Sequence, residues 1–290
     1  RGCMTYSTCI PPKTTVIRFV SFQRPEGREL ELPKSDDLPK TVHTVVIDES
    51  CTHIKRISRN FLSSPRGLKR VIFPPVFPHL TEIGRGFLKG SLKSDSVVDI
   101  RGRFPALQTC GPEFMSCIKV KTLDLRECFP SLKEVEHQFL SECQNLTTVQ
   151  LDGAFPSAEA ISGDFLAECP ELEEVVWGCP FPQVERIGNS FLRNCAALRE
   201  FDARGIFPMV EHIGATFAVE CGFARVNLSS PEAFPLVQRI EFGFMCGSHH
   251  LEEVKMRCAF PNAITVLDYF MTDCPKLQSL NLQGSFPKLT

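Results

Sequence analysis

The stretch Phe155–Phe181, FPSAEAISGDFLAECPELEEVVWGCPF, runs from one Phe-Pro pair to the Phe of the next. Phe165 follows ten residues after Phe155, and Cys169 follows four residues after Phe165. Phe-Pro pairs recur at a nearly constant interval along the chain, at Phe77, Phe104, Phe129, Phe155, Phe181, Phe207, Phe234, Phe260 and Phe286. So regular a period predicts a repeat protein, in which each unit packs only on its neighbours.

Each unit contains a short alternation of apolar and other residues. The clearest examples are LTTVQL (146–151), LREFDA (198–203), LEEVKM (251–256) and LQSLNL (277–282). An alternation of this length predicts a short, half-buried strand. One such strand per unit predicts parallel strands stacked about 4.8 Å apart in a solenoid.

The middle of the unit carries two further patterns. Phe165, Leu166 and Cys169 place apolar side chains at i, i+1 and i+4, which predicts one or two helical turns. Val184 and Ile187 predict a short extended crossing, and the Gly188 that follows predicts a sharp turn. The fold class expected is therefore an α/β solenoid, with one parallel strand, a short extended segment and a short helix in every repeat of roughly 26 residues.

The pattern of FPQVERIGNSFLRNCAALREFDARG (181–205) resembles the BspA-like class of leucine-rich repeats. The version with Phe-Leu before the Cys is similar to arrays common in kinetoplastid protists. The resemblance covers residues 42 to 290 and implies a leucine-rich-repeat solenoid. It implies interaction roles and no particular reaction, because members of this class share a scaffold.

The N-terminal residues follow the pattern in part. Val42, Val45 and Ile47 precede Leu68, Val71 and Phe73 by one period of the repeat, which predicts a strand in register. VIRFVSF (16–22) is a candidate for one further strand, and residues 23–37 read as a polar loop. We expect residues 1–41 to form a cap and residues 42–290 a solenoid of about ten units, cut short after SFPKLT. The alternative is an N-terminal extension that packs on a partner.

Fourteen cysteines raise the question of metal binding and disulfides. Five of them follow the unit's second Phe by four residues: Cys143, Cys169, Cys195, Cys221 and Cys274. That period predicts a buried ladder of thiols donating to turn carbonyls. Free thiols in this number favour a reducing compartment, such as the cytosol, the nucleus or the mitochondrial matrix, over secretion. Cys3 and Cys9 are candidates for a bridge or a metal, but a lone C-x5-C is weak support.

Composition and motifs argue against several functions. The net charge of −2 gives no general attraction to nucleic acid, and no apolar run is long enough to span a bilayer. IGRGFLKG (83–90) lacks the G-K-[ST] of a phosphate loop. No known arrangement of nucleophile, base and orienting group is present. We therefore expect no enzyme activity, no metal and no cofactor.

The outward residues of the predicted strands form two columns on one surface. Asp precedes Arg by two residues in three units, at Asp99, Asp124 and Asp202. These charges either compensate each other across neighbouring strands or recognise a partner of mixed charge. The candidate partner-binding residues are Asp99, Arg101, Asp124, Arg126, Gln150, Asp152, Val176, Asp202, Arg204, Asn227, Lys255, Arg257 and Asn281.

The function expected from these observations is a non-catalytic scaffold that binds a protein partner through the strand face and rims. The protein partner stays unidentified, and the scaffold could belong to a larger assembly inside the cell. The alternative is a cell-surface or secreted adhesion or receptor domain that binds host protein or glycan. Neither hypothesis includes nucleic-acid binding or membrane insertion.

Overall fold

The chain winds into a solenoid in which each coil contributes one short strand to each of two parallel ladders. The structure is a computed structural model, and it describes residues 13–20, 31–32, 41–63, 68–229 and 233–289. The strands of the first ladder are β1 (Val16–Phe19), β3 (Thr44–Ile47), β5 (Leu68–Ile72), β7 (Leu92–Val98), β9 (Thr122–Asp124), β11 (Thr148–Gln150), β13 (Glu174–Val176), β15 (Glu200–Asp202), β17 (Arg225–Asn227), β19 (Glu253–Lys255) and β21 (Ser279–Asn281). Those of the second are β2 (Glu31–Leu32), β4 (Arg56–Ile57), β6 (Glu82–Ile83), β8 (Thr109–Cys110), β10 (Glu134–Val135), β12 (Ala160–Ile161), β14 (Arg186–Ile187), β16 (His212–Ile213), β18 (Arg239–Ile240) and β20 (Thr265–Val266).

The first ladder confirms the predicted parallel strands. Val45 pairs with Val71, one period further along the chain, as the sequence pattern predicted. The ladder divides into three sheets, β1-β3-β5-β7, β9-β11-β13 and β15-β17-β19-β21. An irregular register between β5 and β7, at Leu68 and Arg70, accommodates extra residues in the longer β7.

The second ladder lies where the sequence predicted only an extended crossing. Its strands are two residues long and pair in parallel with those of the coils before and after them, as β14 does with β12 and β16. In these strands Ile187 and Ile213 are buried, whereas Arg186 and His212 point outward. The solenoid therefore has two sheet faces, of which the sequence predicted one.

The predicted helix in every repeat is wrong. Within the described ranges the chain forms a single 3-10 turn, Glu49–Cys51, and no α-helix. After the second ladder each coil turns a corner instead. There the amide of Gln138 donates to Gly163 O at 2.9 Å, that of Leu140 to Phe114 O at 3.0 Å and that of Glu142 to Ala167 O at 2.8 Å. Because these amides bond alternately to the following and the preceding coil, they are not available for the i to i−4 bonds of a helix.

The corner requires left-handed backbone at alternate positions. Gln138, Leu140 and Glu142 have φ angles of 60°, 55° and 57°, and the residues around Phe165 repeat this alternation. Left-handed φ costs about 1–2 kcal/mol for a residue with a Cβ. The inter-coil hydrogen bonds and the full burial of Leu140 and Phe139 offset that cost.

Glycine recurs after isoleucine in this chain for a reason other than the sharp turn that the sequence predicted. Gly188 and Gly214 do not have positive φ. A Cβ on Gly214 would lie 2.6 Å from the carbonyl carbon of Gly188, and one on Gly188 would lie 2.7 Å from that of Ser162. Glycine is needed here because the backbones of neighbouring coils approach closely, and not for a left-handed turn.

Phenylalanine rings fill the interior between the two ladders in two stacked columns. Rings of successive Phe-Pro pairs stack with centroid separations such as 5.5 Å for Phe155 and Phe181. Rings of the second Phe of each unit stack likewise, with 5.3 Å between Phe165 and Phe191. The columns meet edge to face, as Phe165 and Phe181 do at 80°. These offset-stacked and edge-to-face arrangements are those that aromatic pairs prefer.

The predicted thiol ladder is present. Cys169 Sγ donates to Leu140 O at 3.2 Å, Cys195 Sγ to Leu166 O at 3.2 Å and Cys221 Sγ to Leu192 O at 3.0 Å. Burial raises the pKa of the Cys195 thiol well above its usual value, which keeps the donor protonated. The cysteines of the ladder are free thiols. Cys3 and Cys9, the candidate bridge or metal pair, lie outside the described residues, as do most of residues 1–41, so the cap stays a prediction.

Ser248 occupies the ladder position between Cys221 and Cys274, and its buried hydroxyl has no hydrogen-bond partner among the described residues. The thiols of the ladder donate to a carbonyl of the preceding coil, whereas this hydroxyl donates to none. We expect Ser248→Cys to raise the free energy of unfolding by about 1 kcal/mol, because it removes an unsatisfied buried polar group. Urea unfolding measures this free energy. Cys221→Ser, which places a second hydroxyl in the ladder, should lower the free energy of unfolding. A destabilising Ser248→Cys would contradict the ladder geometry.

Gln138 distinguishes the left-handed corner from a helix. At φ 60° glycine has no steric penalty, so Gln138→Gly should raise the free energy of unfolding by up to about 1 kcal/mol and with it the thermal midpoint. Gln138→Val should lower both. In a helix, glycine would instead destabilise by about 1 kcal/mol. Differential scanning calorimetry of both variants decides between the two, and a lower midpoint for the glycine variant would speak for the helix.

Candidate functional site: the strand face

The outward side chains of the first ladder form the surface that we call the strand face. Three candidate residues, Asp124, Gln150 and Val176, are aligned across β9, β11 and β13. Four others are aligned across β15 to β21: Asp202, Asn227, Lys255 and Asn281. Asp99 lies one residue beyond the end of β7. The first column predicted from the repeat period is therefore present as two straight segments, one across β9 to β13 and one across β15 to β21.

The second predicted column lies in the turns that follow these strands. Arg101, Asp152, Arg204 and Arg257 are exposed there, and Arg126 is half-buried. In this column Gly178 has a left-handed φ of 55°, and a Cβ on it would lie 2.0 Å from Asp152 Oδ1. The turn column is thus less regular than the strand column.

Several Asp and Asn residues of the first column end their strands with an Asx turn. Asp124 Oδ1 accepts the backbone amide of Arg126 at 3.0 Å, and Asp202 Oδ1 accepts that of Arg204 at 3.1 Å. The corresponding bonds run from Ser229 to Asn227 at 3.1 Å and from Gln283 to Asn281 at 3.0 Å. Asp and Asn favour such turns because their side chains reach a backbone amide two residues on. These side chains therefore have a structural role that the sequence reasoning missed, although Asp or Asn at the last strand position was the signal.

Two arginines of the second column fold back on the same coil. Arg126 Nη2 lies 2.6 Å from Asp124 Oδ2, and Arg204 Nη2 lies 2.6 Å from Asp202 Oδ2. Hydrogen bonds from Arg204 lower the pKa of the Asp202 carboxyl below its usual value, and Arg126 has the same effect on Asp124. The charges compensate each other as one hypothesis predicted, but within a coil and not across neighbouring strands.

The remaining charged candidates differ in how firmly they are engaged. Asp99 pairs with Arg103 and not with Arg101, which approaches Glu127 only to 3.9 Å. Asp152 Oδ1 accepts the amide of Cys179 at 3.3 Å. Arg257 makes no side-chain hydrogen bond or ion pair within the described part of the chain. Arg257 is consequently the most available cation of the predicted set.

A shallow cleft of about 170 Å³ lies on the strand face over β15, β17 and β19. Its lining consists of candidate partner-binding residues and of a neighbouring outward column that is not among those candidates. The members of this second set are Glu200, Arg225 and Glu253, which are aligned across the three strands. Arg225 pairs with Glu200, so the lining alternates in charge along the solenoid. The signal for these residues was present, since each stands two positions before a predicted one.

The described residues contain no group of three or more His, Cys, Asp or Glu side chains placed to hold a metal ion. The same residues form no helix with the length and apolar character needed to cross a bilayer.

No family model and no curated protein matches the chain. Among solved structures, a leucine-rich repeat protein from Bacteroides ovatus is similar, with 13% identity over 91% of this chain and 73% of that one and a TM-score of 0.48. A leucine rich cell surface protein from Faecalibacterium prausnitzii has 14% identity over 92% and 87% and a TM-score of 0.36. At TM-scores under 0.5 neither likeness carries an argument about this chain. The BspA-like class and the kinetoplastid type of array both stay predictions.

Substitution of Asp202 separates its two roles. Asp202→Asn keeps an oxygen for the Arg204 amide and loses only the ion pair. It should therefore lower the free energy of unfolding by a few tenths of a kcal/mol, which is the usual contribution of an exposed ion pair. Asp202→Ala loses both and should cost about 1 kcal/mol.

The pH dependence of the same variants provides a check. Because the pKa of Asp202 is lower in the folded than in the unfolded state, its ion pair stabilises above the unfolded pKa of about 4 and is lost as the pH falls through the folded pKa. The difference between wild type and Asp202→Asn in chemical unfolding should therefore vanish at acidic pH. A difference that persisted there would mean that the ion pair is not its cause.

Proposed function

We propose that the chain is a non-catalytic leucine-rich-repeat scaffold that binds a protein partner through its strand face. The observation that carries this proposal is the straight alignment of outward residues across consecutive strands, such as Asp202, Asn227, Lys255 and Asn281. In a solenoid the core fixes such columns, while their identities vary without harm to packing. An extended rigid surface of mixed polarity suits recognition of a folded protein better than turnover of a small substrate.

The interior and the surface support this assignment in different ways. Phe, Leu and Cys positions recur with the period and are buried, so they serve the scaffold. The outward positions repeat less strictly, since Asp or Asn recurs where it ends a strand but the same column also holds a glutamine, a valine and a lysine at other coils. Non-repeating residues on a repeating scaffold are the expected basis of specificity. Membership of a larger assembly is compatible with the same surface.

The test uses residues of the strand face and of the turn column beside it that are not firmly engaged in the solenoid. The face variant combines Arg101→Glu, Gln150→Arg and Arg257→Glu, and the control combines Arg186→Glu and His212→Glu on the second ladder, with the same change in net charge. Both are expressed with a tag in cells that produce the protein, and crosslinking mass spectrometry identifies partners and crosslinked positions. We expect the face variant to lose the dominant partner and the control to retain it.

Equal capture of that partner by both variants would remove the strand face from the proposal. Crosslinks that fall mainly on the second ladder would have the same meaning.

A reducing compartment suits the proposed scaffold, because the buried ladder uses protonated thiols as hydrogen-bond donors.

One observation favours the cell-surface alternative. Asn145 in the sequon NLT is exposed on a turn, whereas Asn227 in NLS accepts a backbone amide at its strand end. Alkylation before lysis, followed by mass spectrometry, discriminates the two locations. Free ladder thiols and an unmodified Asn145 are expected for the intracellular scaffold, and glycan on Asn145 with oxidised cysteines for an adhesion domain.

A further inference from the structure

Four exposed charges beside the strand face have no partner among the described residues. Lys119 and Lys121 stand on either side of buried Val120, in the turn that leads into β9. Glu171 and Glu173 stand in the same way on either side of buried Leu172, in the turn that leads into β13. The structure gives none of the four side chains a hydrogen bond or ion pair within the described ranges. They differ in this from Asp124, Arg126, Asp202 and Arg204, which neutralise each other within their coils.

The four charges belong to two straight rows along the solenoid. The amide of Thr147 donates to Lys121 O at 2.7 Å, and that of Glu173 donates to Thr147 O at 2.9 Å. Lys121, Thr147 and Glu173 therefore occupy one row in three adjacent coils. Lys119, Asn145 and Glu171 stand two residues earlier in the same three coils. We call these six residues the charged ridge.

The charged ridge is antisymmetric about its central coil. One coil before the uncharged pair Asn145 and Thr147 the ridge is basic, and one coil after it the ridge is acidic. Coils are about 4.8 Å apart, so the basic and acidic positions are about 10 Å apart. A rotation of 180° about an axis parallel to β11 exchanges the coil before with the coil after and leaves the position along the strand unchanged.

We propose that the charged ridge is the contact surface of an antiparallel dimer of two copies of this chain. With the two-fold axis parallel to β11 at the central coil, Lys119 faces Glu171 of the second copy and Lys121 faces Glu173. Symmetry repeats both contacts, as an isologous interface requires. The uncharged Asn145 and Thr147 lie at the axis, where a side chain meets its own copy and a charge would be repelled.

Charge complementarity selects this partner over others. A parallel arrangement of the two copies would place Lys on Lys and Glu on Glu, so the sequence distinguishes the antiparallel dimer from it. A polyanion would be attracted by Lys119 and Lys121 and repelled by Glu171 and Glu173. The ridge residues differ from those changed in the strand-face test, so the dimer and the protein partner proposed above are tested separately.

The affinity of the dimer and its dependence on salt follow from the exposure of the four charges. All four are exposed in the single chain, and exposed pairs attract weakly in water. The dimer is therefore reversible and sensitive to ionic strength. It should be favoured at an ionic strength of about 10 mM, where the Debye length is about 30 Å, and lost at about 1 M, where it is about 3 Å.

Charge-swap variants of the purified chain test the proposal without any foreign protein. The acidic variant is Lys119→Glu/Lys121→Glu, and the basic variant is Glu171→Lys/Glu173→Lys. We expect wild type to sediment as a dimer at low ionic strength, each variant alone to sediment as a monomer, and an equimolar mixture of the two to form a mixed dimer. The control, Glu185→Lys/Arg186→Glu on the second ladder, should dimerise as wild type does.

The combined variant with all four substitutions reverses every charge and should regain the homodimer. A monomeric wild type at low ionic strength would overturn the proposal. So would self-association of the acidic or basic variant at the wild-type level, or a mixture of the two that stays monomeric. None of these results bears on the strand-face scaffold, whose test measures a different partner at different residues.

Discussion

Stacking of phenylalanine rings along the solenoid axis is the constraint on which the rest of the structure depends. Rings of adjacent coils have centroid separations of 5.0 to 6.0 Å within each column, close to the spacing of about 4.8 Å between parallel strands. Because one ring per coil fills that spacing, an insertion must be absorbed in a loop or in the register of a strand. The irregularity between β5 and β7 is such a case. The nearly constant interval between Phe-Pro pairs in the sequence is the direct result.

The same constraint explains which parts of the fold could be predicted from the sequence. The alternation around Val149 predicts a strand, and the constant period predicts that its neighbours in the ladder lie one repeat before and one repeat after it, as they do. The corner after the second ladder could not be predicted in this way. Phe165, Leu166 and Cys169 fit a helical spacing, but their coil donates its amides to the coils on either side. Local apolar spacing reports which side chains are buried and not where the backbone amides find acceptors.

The strand face shows the same limit at the level of the candidate site. Counting from the period located the column through Asp124 and Gln150 correctly. It did not reveal that Asp124 ends its strand with an Asx turn, or that Arg126 folds back onto it, because both depend on the backbone just beyond the strand. Glu200 and Arg225 were left out although they belong to the same face. Alternation alone does not show that residues on both sides of an inward side chain share one surface.

Residues of a repeat surface are available to partners only where the coil does not use them. Asp202 and Arg204 are charged and exposed, yet each already pairs with the other, so a partner that used either side chain would compete with that pair. Arg257 in the equivalent turn has no such pair within the described residues, and Lys255 is only loosely held, at 3.5 Å from Glu253. The same reasoning separates the charged ridge from the strand face, since Lys121 and Glu173 are kept apart by the uncharged Thr147. Availability of charge, more than its amount, therefore decides which outward side chains of this solenoid are free to make new contacts.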